Sequence, residues 1–412
     1  MDMNKMKKVP EIRFKEFAED WENTDASIIF KTYFDKNHPD LPVLSASQEY
    51  GMIIREDVGF KVQHNKENEA GYKRVLPGQF VIHLRSFQGG FAHSDVEGIT
   101  SPAYTIIEFR DKSQQDDIFW KYVLTSKEFI KRLETVTYGI RDGRSISFED
   151  FSELGFNVPD IKEQRKIGKT LTVIDTLIRK LEQKLEKLRN IKQSLINQMF
   201  VNVNRGGYAP LIRFKGYADK WIMVLLKDVS KKVTEKNSSF DYKDVFTNSA
   251  ELGIINQRDY FDHDVANVES IQGYNKVAPN DYVYNPRIST SAPVGPINRN
   301  KLAYGGVMSP LYYVFRVDDK DFGSLDFLDF FFKSDVWHEF MFKNGNSGAR
   351  SDRFSISDDV FVEMPIAHPK SKREQKTIGN FLASMDAALQ NETYKLTKLR
   401  TMKQSLLQKM FV

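Results

Sequence analysis

The chain repeats itself, and no other feature restricts its architecture as much. Pro10 to Trp21, PEIRFKEFAEDW, returns as Pro210 to Trp221, PLIRFKGYADKW, with seven of twelve positions identical at a shift of 200. Val43, Ser47, Gly51, Ile53, Gly71, Tyr72, Val75, Pro77, Val81 and Arg85 recur 202 residues later as Val245, Ser249, Gly253, Ile255, Gly273, Tyr274, Val277, Pro279, Val283 and Arg287. Ser101-Pro102 and Tyr104 reappear as Ser309-Pro310 and Tyr312, shifted by 208, so the second copy carries a short insertion. From Glu163 to Val201 the chain aligns without a gap with Glu374 to Val412, and 18 of 39 positions are identical. It is a tandem pair in which a variable segment precedes a strongly repeated one, twice.

The strongly repeated segments read as helices. Ile167, Leu171, Ile174, Ile178, Leu181, Leu185 and Leu188 step by four and three, a heptad seam that a strand does not produce. The second copy gives Ile378, Leu382, Met385, Leu389, Glu392, Leu396 and Leu399, with one polar interruption at Glu392 that a lysine near Lys180 or Lys184 would satisfy across a helix pair. Asp160 lies three residues before Glu163, and Ser371 three before Glu374, the spacing of a capping box. Helix from Glu163 to Met199 spans roughly 55 Å at about 1.5 Å per residue. A rod of that length with an apolar seam needs a partner, and its own repeat is available, so the two helices are expected to pair antiparallel.

The variable segments hold runs such as QFVIHL, YTIIEF, DYVYN and YYVFRV between clusters of Gly, Pro, Asn and Asp. They read as mixed or mostly β domains, with helices near Ile118 to Leu133 and Phe327 to Phe342. The expected fold class is therefore mixed α/β (α+β), divided into a first domain over 1–158, a central helix over 159–201, a second domain over 202–369 and a distal helix over 370–412.

Composition narrows the chemistry. Cysteine is absent, which removes disulfides, thiolate metal sites and cysteine nucleophiles and fits a reducing compartment. No run of about 18 apolar residues occurs, so no membrane partner and a soluble, cytoplasmic protein are expected. The net charge of +4 permits a nucleic-acid partner only through a local basic face. Gly168-Lys169-Thr170 resembles the end of a phosphate loop, but Glu163 occupies the first glycine position and the repeat reads Gly379-Asn380-Phe381. Pro159-Asp160 with Glu182-Gln183-Lys184 imitates a nuclease motif, yet the two carboxylates would lie roughly 30 Å apart along a helix. Tyr284-Asn285-Pro286-Arg287 reads as a strand-ending turn, and Asp262-His263-Asp264 as a solvated loop. No catalytic or metal-binding constellation is expected.

Each variable segment ends in a polar, glycine-containing loop with paired arginines, Arg141 and Arg144 in the first and Arg350 and Arg353 in the second. Guanidinium forks read guanine edges or clamp phosphates. Arg85 with Ser86, and Arg287 with Ser289, follow equivalent strand-like runs. A solvated surface loop is the competing reading for all of these; recurrence in two otherwise divergent domains favours DNA contact.

A duplicated chain whose helices begin EQ(R/K)xIG and end LRxxKQSLxxxMFV, each copy led in by IRFK and a tryptophan, resembles the specificity (S) subunit of type I restriction-modification systems. The resemblance implies two target-recognition domains that read the halves of a bipartite, asymmetric site in double-stranded DNA, with helices that set the spacing. It implies no catalysis by this chain and no cofactor of its own. Two methyltransferase (M) subunits would supply S-adenosylmethionine chemistry, and restriction (R) subunits the ATP- and Mg-dependent steps. The subunit-interface helices would contribute Leu171, Ile178, Leu185, Leu188, Leu382, Leu389, Leu396 and Leu399. The alternatives are a coiled-coil scaffold with two protein-binding domains and, less compatible with these motifs, a nuclease.

Overall fold

The computed structural model describes residues 9–47, 50–58, 66–83, 90–136, 146–203, 206–259, 270–318, 322–347 and 352–411. The chain divides into two compact units, residues 1–182 with 394–412, and residues 183–393. The two units share one topology. In the first, a four-stranded antiparallel sheet runs in the order Phe30–Tyr33, Thr105–Phe109, Phe80–Ile82, Phe91–His93. In the second the order is Ser230–Lys232, Tyr313–Val317, Tyr282–Tyr284, Ile297–Arg299. The alternating aliphatic and aromatic runs in the sequence are these strands.

Two smaller strand pairs flank each sheet, Leu44–Ser47 with Gly51–Ile54 and Lys73–Val75 with Gly98–Thr100 in the first unit. Phe246–Ser249 with Gly253–Asn256, and Asn275–Val277 with Gly306–Met308, repeat them in the second. Each domain is closed by its own ends: Glu22–Asp25 pairs with Gly155–Val158, and Ile222–Leu225 with Pro365–His368. The expected helices form as pairs, Asp117–Leu124 with Lys127–Val136 and Leu325–Lys333 with His338–Asn344.

Aromatic packing fills both cores. Phe30 meets Trp120 edge-on with ring centroids 5.0 Å apart, and Phe151 and Phe109 at 5.4 and 5.1 Å. In the second unit Tyr282 stacks on Phe315 at 5.5 Å and Tyr284 on Phe361 at 4.8 Å. The same scaffold tolerates opposite charges: Asp95, just after the strand Phe91–His93, pairs with helix Lys121 in the first unit, whereas Lys301, just after the strand Ile297–Arg299, pairs with helix Asp329 in the second.

The central helix spans Ile161–Met199 and the distal helix Lys372–Lys409. Within the first unit Asp175 pairs with Lys403 at 2.5 Å and Glu182 with Arg400 at 2.6 Å, so the partner numbers fall as the first rise and the segments run antiparallel. Within the second, Lys184 pairs with Glu392 at 3.1 Å and Lys192 with Asp386, again antiparallel. Glu392, the polar break in the seam, is thus buried against one of the two lysines expected to meet it. Of the seam residues, Leu171, Leu185, Leu382 and Leu396 are buried, while Ile178, Leu188, Leu389 and Leu399 are half-buried.

The repeated ends of the helices have a definite task. Phe200, after the central helix, enters the core of the second unit, its ring 5.1 Å from Phe327. Phe411, after the distal helix, packs against the core of the first unit, 5.6 Å from Phe119. Each repeated Met-Phe pair therefore packs into the domain of the other copy.

Candidate nucleic-acid interface

The repeated motifs at the helix starts hold each domain to its helix. Asp160 Oδ1 accepts hydrogen bonds from the backbone N–H of Lys162 and Glu163 at 2.7 and 3.2 Å, and Ser371 Oγ from that of Glu374 at 3.3 Å. The expected capping box is only half made, because the acidic partner turns elsewhere. Arg13 donates twice to the buried Glu163 carboxylate, at 2.8 and 2.7 Å, and Trp21 Nε1 donates a third bond at 3.2 Å. Arg213 grips Glu374 identically at 2.7 and 2.9 Å. These hydrogen bonds to Glu163 and Glu374 raise the pKa of the Arg13 and Arg213 guanidinium groups further, against a smaller opposing effect of burial. The conserved IRFK arginine and the EQ glutamate are one fork-to-fork clamp.

The following glutamines and glycines complete the joint. Gln164 Oε1 accepts from the N–H of Asp116 at 3.0 Å, and Gln375 Oε1 from that of Gly323 at 2.7 Å. A Cβ on Gly168 would sit 3.0 Å from the backbone nitrogen of Phe119, and one on Gly379 3.0 Å from that of Phe327. Both glycines admit the first turn of a domain helix. The Gly168-Lys169-Thr170 sequence is therefore a packing element. Sequence reading missed the clamp, although the matched reappearance of Arg and Glu in both copies carried the signal.

The exposed ends of the sheets are where contacts with a partner can be made. In the second unit the strand Tyr282–Tyr284 ends at Asn285, whose side chain donates to the carbonyl of Asn248 at 2.8 Å and accepts from the N–H of Arg287 at 3.0 Å. That turn leaves Arg287 exposed. Arg287 and Arg353 then form an antiparallel bridge, framed by Ile288 N–H to Asp352 O at 3.0 Å and Phe354 N–H to Pro286 O at 2.8 Å. Phe354 seats this segment: its ring lies where a Cβ on Gly345 would come within 2.4 Å. Arg353 is half-buried, and its Nε is a buried donor with no hydrogen-bond acceptor among the described residues. Ser289 is exposed in an adjoining turn, with its hydroxyl 3.2 Å from that of Ser291.

The structure thus joins three of the expected contact residues, Arg287, Ser289 and Arg353. Arg350, Arg141, Arg144, Arg85 and Ser86 lie outside the described residues, as do Asp262, His263 and Asp264. His83 is the counterpart of Asn285, since His83 N–H donates to Gly90 O as Asn285 N–H donates to Pro296 O. Among the described residues no cluster of three or more histidines and acidic side chains is placed to hold a metal ion. None of their helices is long and apolar enough to cross a membrane.

Two copies of one α/β domain, each clamped to a long helix, define a duplicated two-unit protein. The family model described as "Type I restriction modification DNA specificity domain" matches residues 7–190, and the second half repeats that domain's fold. The first half of the chain is thus similar to the DNA specificity domain of type I restriction-modification systems. Its fold is similar to that of the S subunit of a type I restriction-modification system from M. genitalium, at TM-score 0.56 and 14% identity over 98% of this chain and 99% of that one. A chain from a structure of complex assembly and conformational transition in the type I R-M system gives TM-score 0.53 and 14% identity, covering 95% and 97%. No curated protein sequence matches.

Proposed function

We propose that the chain is the non-catalytic specificity subunit of a cytoplasmic type I restriction-modification complex, in which each unit reads one half of a bipartite, asymmetric DNA site. The observation that carries this reading is the sheet edge of the second unit. There Arg287 and Arg353 lie side by side, and Arg353 keeps a buried donor unspent. The chain preceding Arg85 occupies the equivalent position in the first unit, with a different local sequence, so the two half-sites differ. In this proposal the domains comprise 1–158 and 202–369 and the helices 159–201 and 370–412.

The helices have a further surface for partners. Val173 and Leu177 on the central helix and Met402 on the distal one are about half exposed, and Tyr394 is more exposed still. Two methyltransferase subunits docking there would cover this apolar surface, bringing S-adenosylmethionine, and restriction subunits would add ATP- and Mg-dependent translocation and cleavage. A gel-shift titration of the full chain with its methyltransferase partner on duplex DNA tests the reading. Salt-dependent binding with a preference for one two-part sequence supports it; absence of DNA binding, with and without the partner, contradicts it.

A further inference from the structure

The first unit carries an exposed aromatic ring within reach of two ammonium groups, which the sequence did not single out. Phe34 is 69% exposed, immediately after the edge strand Phe30–Tyr33. Lys36 Nζ lies 5.1 Å and Lys73 Nζ 5.8 Å from its ring centre, a double cation–π arrangement. Lys36 and Lys73 are themselves an antiparallel bridge pair. Like charges placed opposite each other on neighbouring strands repel. Neither lysine has a carboxylate partner among the described residues; the adjacent Asp35 is engaged by Arg74 and His38. Burial and the charge of Lys36 both lower the pKa of Lys73, as expected of a site lacking a counter-anion.

Position gives this cluster a purpose. Tyr33 pairs with Ile106 and Ile82 with Thr105, so the strands Phe30–Tyr33 and Phe80–Ile82 end at the same edge of the sheet. His83 follows the strand Phe80–Ile82 at that edge. Lys73 Nζ donates to the carbonyl of Tyr104 at 2.6 Å, and the Tyr104 ring lies 6.1 Å from that of His83. In the second unit Thr234 takes the place of Phe34 and Asn275 that of Lys73, with Lys236 donating to Asn275 at 2.6 Å. The cluster is not a requirement of the shared fold.

Resting on the DNA reading above, we propose that Phe34, Lys36 and Lys73 form a backbone-contact patch of the first unit that takes duplex DNA phosphates on the two ammonium groups and deoxyribose edges on the ring. The patch adds affinity without sequence preference, because phosphates carry no base identity. Neutralising a phosphate contact lowers the slope of log binding constant against log salt by about one.

The test is fluorescence anisotropy of the full chain with its methyltransferase partner on labelled duplexes of several sequences, across a salt series. K36A and K73A are expected each to reduce the slope by about one on every sequence, K36R and K73R to retain it, and F34A to weaken binding severalfold with the slope unchanged. Wild-type binding with unaltered slopes in both alanine variants would overturn the patch and leave the DNA reading standing. Absence of salt-dependent binding by the wild type would overturn both. A purely structural role for Phe34 predicts that F34A lowers the melting temperature without changing binding of the folded protein, and that result also overturns the proposal for the ring.

Discussion

Arg287 and Arg353, 66 residues apart in the chain, are bridge partners in the second unit, held by backbone hydrogen bonds of 3.0 and 2.8 Å on either side of the pair. The bridge sets two arginines on neighbouring strand positions, where their side chains can address one anion or base edge. If each makes a bidentate base contact, R287A and R353A will each weaken binding by about 1 to 3 kcal/mol, confined to the half-site read by the second unit. Competition binding with duplexes altered in one half-site at a time measures this. Equal loss on every sequence would reassign the pair to phosphate contact.

The clamp between Arg13 and Glu163 is a stability device. Glu163 is fully buried and Arg13 half-buried, and removing the arginine leaves a buried charge without compensation, at a cost of about 3 to 5 kcal/mol. R13A is therefore expected to lower the unfolding midpoint in urea markedly. A double substitution, Arg13→Met with Glu163→Leu, is expected to cost less than R13A because no orphan charge remains. A double variant as unstable as the sum of the singles would contradict this.

Gly379 makes a close approach to the backbone nitrogen of Phe327, and a methyl group there would come within 3.0 Å. Alanine is a better helix former than glycine by about 1 kcal/mol, but overpacking a fixed backbone costs about 1 to 3 kcal/mol. G379A is expected to be destabilising on balance, as is G168A. Thermal melts that rise on either substitution would show that the domain helix can withdraw.

Acid sensitivity should trace to Asp329. Burial works against its carboxylate, but the hydrogen bonds and charges of Arg299 and Lys301 outweigh this and hold its pKa below the ordinary carboxylate value. A depressed folded pKa contributes stability that is complete above the unfolded value of about 3.9 and is lost as pH falls through the folded value. The deficit of D329N relative to wild type should therefore be constant near neutrality and shrink below about pH 4. Melting temperatures of both proteins across that range check the sign.

The duplication, both long helices and the main strands were legible in the sequence because each is a local pattern: a heptad seam, a β-branched and aromatic run, or a recurring block. Lys184 was within reach of that reasoning, since a buried glutamate in an antiparallel seam needs a cation from a narrow window of the facing helix. The Arg13–Glu163 clamp was not, because the partners stand 150 residues apart and a capping box explained the glutamate locally. The exchange of MFV ends between copies was equally hidden: periodicity fixes which helix face is apolar, but not which core receives its end. Of the contact residues, Arg287 and Arg353 were named separately by their place after strands and in loops. Their pairing depends on the Phe354 and Gly345 packing that no short motif records.

The central claim is that the chain selects a two-part DNA site for modification. Sequencing N6-methyladenine across the genome of a host free of other adenine methyltransferases, and expressing this chain with its methyltransferase subunit, tests it most directly. Methylation is expected at one asymmetric motif of two halves separated by a fixed gap, with specificity in a single half changed by R287A and R353A together. Methylation of an uninterrupted motif, or an identical methylation pattern when the chain is omitted, would contradict it.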